Sequence, residues 1–105
     1  MAGLSTHVLD LARGRPAEGV TVTLERSIDD GWQQVGGGVT DGNGRIGALG
    51  DGLVSGTYRL VFATGDAGNA FYPEVHLIVE IEADEEHYHV PLLLSPYGFT
   101  TYRGS

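Results

Sequence analysis

Apolar residues recur at every second position in four segments of the chain, residues 20–25, 57–62, 74–82 and 87–94. Such alternation is typical of β-strands, in which successive side chains point to opposite faces of a sheet. Clusters of Gly, Pro, Asp and Asn separate the apolar segments, as expected at turns. The pattern predicts about seven or eight short strands, arranged as an antiparallel sandwich or barrel.

One segment, residues 64–72, is compatible with either a short helical turn or a loop. It contains Gly65 and Gly68 and is followed by Pro73, and these residue types disfavour a longer helix. The whole chain has 17 Gly and 4 Pro among its 105 residues, so long helices are not expected elsewhere. We therefore expect an all-β protein with at most one short helix, in a single domain that spans residues 1–105.

Pro91 interrupts the last alternating segment. Because proline has no amide hydrogen to donate to a neighbouring strand, it usually lies at a sheet edge or at an irregular position. Edge strands with an apolar face pair readily with another chain. Residues 87–94 are therefore expected to form an edge strand or to be irregular at Pro91, and we expect the protein to form an oligomer.

The charge of the chain excludes several classes of function. Six Arg, no Lys and 14 Asp plus Glu give a net charge of −8 with neutral His. Nucleic acids and anionic membranes are bound by clusters of basic residues, so neither is an expected partner.

The absence of Cys excludes disulfides, thiolate catalysis and Cys-ligated metal sites. Residues 1–6 lack the basic start of a signal peptide, and no apolar run approaches the roughly 20 residues of a membrane helix. A cytoplasmic location is expected.

Two of the four histidines, His87 and His89, lie two positions apart in the last alternating segment. This spacing places both imidazoles on one face of the strand, opposite the apolar face that carries Tyr88 and Val90. They are either structural surface imidazoles or part of a site that a second subunit encloses. A His-x-His pair with one distant histidine can also ligate zinc, so a zinc hydrolase that uses both residues with His7 is a further hypothesis.

Arg45 directly follows the turn Thr40-Asp41-Gly42-Asn43-Gly44. The glycines allow a tight bend that presents the arginine just beyond it. One interpretation is a surface arginine at the start of a strand. The other is a planar guanidinium that binds a carboxylate or a pair of imide-like oxygens.

Three parts of the sequence resemble motifs of the transthyretin-related 5-hydroxyisourate hydrolases. They are Thr6-His7-Val8-Leu9-Asp10 with the following Ala12-Arg13-Gly14-Arg15-Pro16-Ala17, the turn that ends at Arg45, and His87-Tyr88-His89-Val90-Pro91-Leu92-Leu93-Leu94-Ser95-Pro96-Tyr97 followed by the terminal Tyr102-Arg103-Gly104-Ser105. The resemblance covers essentially the whole chain. The terminal tetrapeptide is its most specific part, because it separates the hydrolases from transthyretin, a hormone carrier with the same fold.

The resemblance implies a transthyretin-like antiparallel β-sandwich of about seven or eight strands. It implies a homotetramer, a dimer of dimers, with active sites in the channel between the dimers. The implied reaction is hydrolysis of 5-hydroxyisourate to 2-oxo-4-hydroxy-4-carboxy-5-ureidoimidazoline in urate breakdown, with no metal and no organic cofactor.

By position, the resemblance matches His7, Arg45, His89 and Ser105 to the site residues of the family. Our hypothesis for the mechanism is that His7 and His89 orient and deprotonate a water molecule while Arg45 holds the imide oxygens of the substrate. Ser105 and Tyr102 close the pocket by hydrogen bonds, and His87 is a candidate supporting residue behind the site. A carrier that holds a small ligand in the same channel without catalysis is the alternative, because one fold can serve both functions.

Overall fold

The computed structural model describes residues 1–104, which form two β-sheets packed around a common core. The strands are β1 (Ala2–Asp10), β2 (Arg15–Pro16), β3 (Thr21–Ile28), β4 (Gly31–Val39), β5 (Arg45–Leu53), β6 (Gly56–Phe62), β7 (Val75–Ile81), β8 (His87–Ser95) and β9 (Gly98–Thr101). The five-stranded sheet has the order β2-β1-β8-β9, with β5 also paired to β1, and the four-stranded sheet has the order β4-β3-β6-β7. The predicted all-β sandwich is confirmed.

One strand pair departs from the predicted antiparallel pattern. Strands β1 and β8 run parallel, in continuous register from Gly3 beside His87 to Asp10 beside Leu94. All the other pairs among residues 1–104 are antiparallel. The strand count in this part of the chain is nine rather than seven or eight, and β2 contributes only two residues to it.

Residues 64–72, which the sequence allows to be either a helical turn or a loop, contain one turn of 3₁₀ helix, Thr64–Ala67. Gly68 ends it in the left-handed conformation with φ 83°, which glycine adopts without steric cost. This turn is the one helix in residues 1–104, so the expectation of at most one short helix is confirmed. No helix within the same range is long and apolar enough to cross a membrane.

The alternating positions of the sequence build the core between the sheets. In β8, the residues of the predicted apolar face are all buried, whereas their neighbours His87 and His89 are not. The same alternation buries every second residue of β6. Burial of these apolar surfaces is the main stabilising contribution to the fold. The largest fully buried side chains include Tyr58, Phe62, Leu4, Leu24, Leu49, Leu60, Ile81 and Leu92.

Pro91 lies in an interior strand, so the interpretation of residues 87–94 as a sheet edge is wrong. Strand β8 has β1 on one side and β9 on the other. The second interpretation is confirmed, because the pairing with β9 ends at Leu92 beside Thr101 and resumes only as an isolated bridge between His89 and Gly104. Pro91 falls in this gap, where its missing amide hydrogen costs no ladder hydrogen bond.

Candidate active site

Three strands bring the predicted histidines and Arg45 together on the outer face of the five-stranded sheet. In the antiparallel pair of β1 and β5, His7 lies directly beside Arg45. In the parallel pair of β1 and β8, His7 lies beside Pro91 and Ser5 lies beside His89. Neighbours across a strand pair share a face of the sheet. The histidines near both ends of the chain and the arginine from its middle therefore converge on one surface.

A cleft of about 350 Å³ opens on this surface and is lined in part by Ser5, Arg45, His87 and His89. This volume lies within the range of small-molecule sites. The cleft combines a cation with two imidazoles, so it presents groups that can attract an electron-rich ligand and exchange protons with it.

The turn before β5 fixes the position of Arg45. The carboxylate of Asp41 accepts hydrogen bonds from the backbone amides of Asn43 at 2.9 Å and Arg45 at 3.0 Å. These two bonds are the main reason that the pKa of Asp41 lies below its ordinary value. Gly44 has φ 74°, and a Cβ there would lie 2.4 Å from the carbonyl oxygen of Val8. Glycine is therefore required where the turn packs against β1.

A serine that the sequence analysis did not select connects the two histidines of β8. The Oγ atom of Ser5 lies 2.8 Å from Nε2 of His87 and 2.7 Å from Nδ1 of His89. Strand alternation could have placed Ser5 on the face of His7, two residues away. The contact itself depends on the register between β1 and β8, which a single sequence does not reveal.

His89 is held in its neutral form by its surroundings. Burial is the main cause that lowers its pKa from the ordinary 6.5, and the charges of Arg45, His7 and His87 lower it further. A hydrogen bond to the backbone of Ser5 acts in the opposite direction and raises the pKa. A neutral imidazole in the same cleft as a guanidinium can accept a proton at neutral pH.

The C-terminal segment, residues 102–104, runs along β8 beside this site. The amide of Gly104 donates a 2.8 Å hydrogen bond to the carbonyl of His89, and the guanidinium of Arg103 stacks over the ring of Tyr88 at 4.6 Å. Tyr102 is 57% exposed and lines a different groove, beside β7. Ser105, the fourth catalytic residue that the resemblance implies, lies outside the described residues.

The zinc hypothesis is not supported by the placement of the histidines. No group of three or more His, Asp or Glu side chains in residues 1–104 is arranged to hold a metal ion. The Oγ atom of Ser5 also lies within hydrogen-bond distance of Nε2 of His87 and Nδ1 of His89, so one nitrogen of each ring is already engaged. His7, His87 and His89 therefore share a surface without forming a set of metal ligands.

The sequence profile of the HIUase/Transthyretin family matches residues 4–104. This chain belongs to the HIUase/Transthyretin family. A 5-hydroxyisourate hydrolase of Salmonella dublin is 48% identical over 109 residues, an alignment that covers 97% of this chain and 80% of the relative. The resemblance to this family that the motifs indicated is thus confirmed.

Solved structures of the HIUase/Transthyretin family include both hydrolases and transthyretins. The structure of Klebsiella pneumoniae 5-hydroxyisourate hydrolase aligns with a TM-score of 0.85 and 39% identity over the full length of both chains. Sea bream transthyretin, in complex with thyroxine, aligns with a TM-score of 0.89 and 31% identity over 97% of this chain and 94% of that one. Because the backbone matches both about equally, the side chains of the cleft must distinguish the two functions.

Proposed function

We propose that this protein hydrolyses 5-hydroxyisourate to 2-oxo-4-hydroxy-4-carboxy-5-ureidoimidazoline, a step of urate breakdown. The observation that carries the proposal is the neutral imidazole of His89 in one cleft with the guanidinium of Arg45. Relatives named as 5-hydroxyisourate hydrolases, at up to 48% identity over nearly the whole chain, support this choice of substrate.

In the proposed mechanism, His89 removes a proton from a water molecule as the water oxygen attacks a ring carbonyl. Arg45 stabilises the negative charge that develops on the carbonyl oxygen. The carbon–nitrogen bond of the cyclic amide then breaks, which leaves a carboxyl group on one side and a ureido nitrogen on the other. The proton held by His89 passes to that nitrogen, so the imidazole returns to its neutral state.

The remaining residues have proposed roles around this reaction. His7, beside Arg45 on β1, orients the attacking water and contacts the substrate. Ser105 closes the pocket by hydrogen bonds once a neighbouring subunit narrows the cleft, whereas Tyr102 lines the groove beside β7 and takes no part in this cleft. The reaction needs no metal and no organic cofactor, since the base and the cation are both side chains.

The decisive experiment follows the loss of 5-hydroxyisourate absorbance with and without the purified protein. Acceleration of the decay, retained after exhaustive treatment with a chelator, supports the proposal and opposes a zinc mechanism. A small-ligand carrier is the alternative function, because sea bream transthyretin has the same fold. Saturable binding of the substrate without faster decay would establish the carrier instead.

The acid limit of activity, which is the pH at which kcat/KM falls to half of its maximum on the acidic side, should lie below pH 6.5. Burial and nearby positive charges lower the pKa of His89, so its basic form persists at pH values where an ordinary histidine is half protonated. The rate constant kcat/KM should therefore fall only as the pH drops through this lowered pKa. A pH profile of kcat/KM measures it, and an acid limit at or above 6.5 would contradict His89 as the base.

Replacing Gly104 with Ala should lower turnover about a hundredfold, the cost of a displacement near 1 Å in a catalytic group. A Cβ at position 104 would lie 2.8 Å from Cδ2 of His89, so the imidazole must move. Gly98→Ala is the matched control in the same C-terminal region, because its Cβ would meet its nearest neighbour at an ordinary 3.7 Å. Steady-state kinetics of both variants provide the measurement, and equal activities would contradict the packing argument.

We also propose that the protein assembles as a homotetramer, a dimer of dimers. Strands β7 and β9 each pair with one strand within residues 1–104, and Ile78 on β7 is 63% exposed. Edges of this kind pair readily with a second copy, and a second dimer over the cleft would enclose the histidines. Light scattering should give four times the 11.1 kDa chain mass, whereas a monomer mass would refute the assembly.

The cytoplasmic location remains a prediction, which cell fractionation tests.

A further inference from the structure

The hydroxyl of Ser5 is shared between two imidazoles. Its Oγ atom is within hydrogen-bond distance of His87 Nε2 and of His89 Nδ1, at 2.8 and 2.7 Å. A serine hydroxyl has one hydrogen to donate, and its lone pairs can accept another. When both imidazoles are neutral, Ser5 therefore donates to one of them and accepts from the other, so the two tautomers are linked.

Glycines on either side of the pair keep both rings against the serine. The parallel register places Ser5 directly beside His89 and Gly3 beside His87. A Cβ at Gly3 would lie 3.0 Å from Nδ1 of His87, and a Cβ at Gly104 would lie 3.3 Å from Cγ of His89. Each ring thus packs directly on a glycine backbone, which leaves the space in which both nitrogens reach the same hydroxyl.

We propose that Ser5 is a positioning residue that sets the tautomer of His89. In this arrangement Nδ1–H of His89 donates to Ser5, and the Ser5 hydroxyl donates to Nε2 of His87. The inference rests on the proposed function, because it is the reaction that selects between the two possible directions. In the other direction, the Ser5 hydroxyl would donate to Nδ1 of His89, and the imidazole hydrogen would sit on Nε2. Neither nitrogen of His89 could then take a proton from water in the cleft.

The same arrangement gives His87 a defined role. When His89 accepts a proton at Nε2, its Nδ1–H still donates to Ser5, and a hydrogen bond from a cationic donor is stronger than one from a neutral donor. The hydroxyl keeps its own hydrogen directed at His87, which serves as the final acceptor. His87 therefore supports the base through Ser5 and does not need to touch the substrate.

The tautomers can be read directly from imidazole ¹⁵N resonances, since protonated and unprotonated ring nitrogens have well-separated shifts. The experiment uses the full-length ¹⁵N-labelled protein at neutral pH without substrate, with the four histidines assigned by single replacements. We expect the hydrogen of His89 on Nδ1 in the wild type. Ser5→Ala should abolish this preference, and Ser5→Thr, which keeps the hydroxyl, should restore it.

Kinetics supply a second measurement. Ser5→Ala should lower kcat about ten- to a hundredfold with a smaller change in KM, a loss comparable to that from removing a hydrogen-bond partner that orients a metal-ligating histidine. Ser5→Thr should recover most of the loss. Ser27→Ala, which removes an exposed hydroxyl of β3 in the other sheet, is the control and should leave kcat unchanged.

The outcomes separate this inference from the proposed function. A wild-type protein with the hydrogen of His89 on Nε2, or a Ser5→Ala variant with an unchanged tautomer, overturns the role of Ser5 even if the enzyme is active. A wild-type protein that shows the expected tautomer but does not accelerate 5-hydroxyisourate decay refutes the proposed function and removes the catalytic reason for the arrangement. Loss of kcat in Ser5→Thr equal to that in Ser5→Ala also counts against the hydroxyl.

Discussion

Replacing His89 with Asn should lower the turnover of 5-hydroxyisourate by about 10²- to 10⁴-fold, the usual contribution of general acid–base catalysis. Asparagine can hydrogen-bond to Ser5 but cannot accept a proton from water. The imidazole of His89 lies on the outer face of β8, whereas the core is built by the other face, so the fold should be retained. Steady-state kinetics and the circular dichroism of the folded variant together measure both parts of this prediction.

His76→Asn is the matched control for this variant. His76 is exposed on β7, in the four-stranded sheet, and its partner is the carboxylate of Glu74. The same chemical change at this position should leave kcat and KM near their wild-type values. If His89→Asn retains wild-type turnover, another group must be the base, and the mechanism proposed for this cleft is wrong.

Replacing Arg45 with Gln should lower kcat/KM by about 10²- to 10³-fold, a loss similar to that seen on removing one donor of an oxyanion hole. Glutamine keeps some hydrogen-bonding capacity but loses the charge and the planar fork of donors. The loss should include a fall in kcat, because the charge on the carbonyl oxygen develops mainly in the transition state. Kinetics over a range of substrate concentrations separate this effect from weaker binding.

The Arg45→Gln variant should also change the pH dependence. The charge of Arg45 is one cause of the lowered pKa of His89, so its removal should raise that pKa and move the acid limit of kcat/KM toward higher pH. Arg15→Gln, an exposed arginine on β2, is the control and should shift neither quantity. An unchanged acid limit in Arg45→Gln would show that the two groups do not interact as the structure indicates.

Much of the fold could be predicted because its signals are local. Alternation identified the buried face of β8, and the buried positions Val22 and Leu24 of β3 follow the same rule. The edge strand β7 follows it less completely, because only Val75 and Ile81 at its ends are fully buried. At a sheet edge the apolar side chains between them have fewer neighbours to cover them, which a single sequence does not indicate.

The sequence predicted most of the residues of the candidate site, but not how they are arranged. Motif resemblance selected His7, Arg45 and His89, and the structure brings them to one face of the five-stranded sheet. Tyr102 was assigned to the same pocket but lines a separate groove beside β7. Ser5 was missed, because serine is common on strand surfaces and only its contacts distinguish this one.

The sequence by itself determined which side chains leave which face of each strand and where the chain turns, because both depend on neighbouring residues. Only the tertiary structure decided that β1 lies parallel to β8, and this register places the hydroxyl of Ser5 against a ring 84 positions away. Register is set by the packing of whole sheets on a shared core. The proton-transfer chemistry of the cleft therefore depends on an alignment that no local pattern encodes.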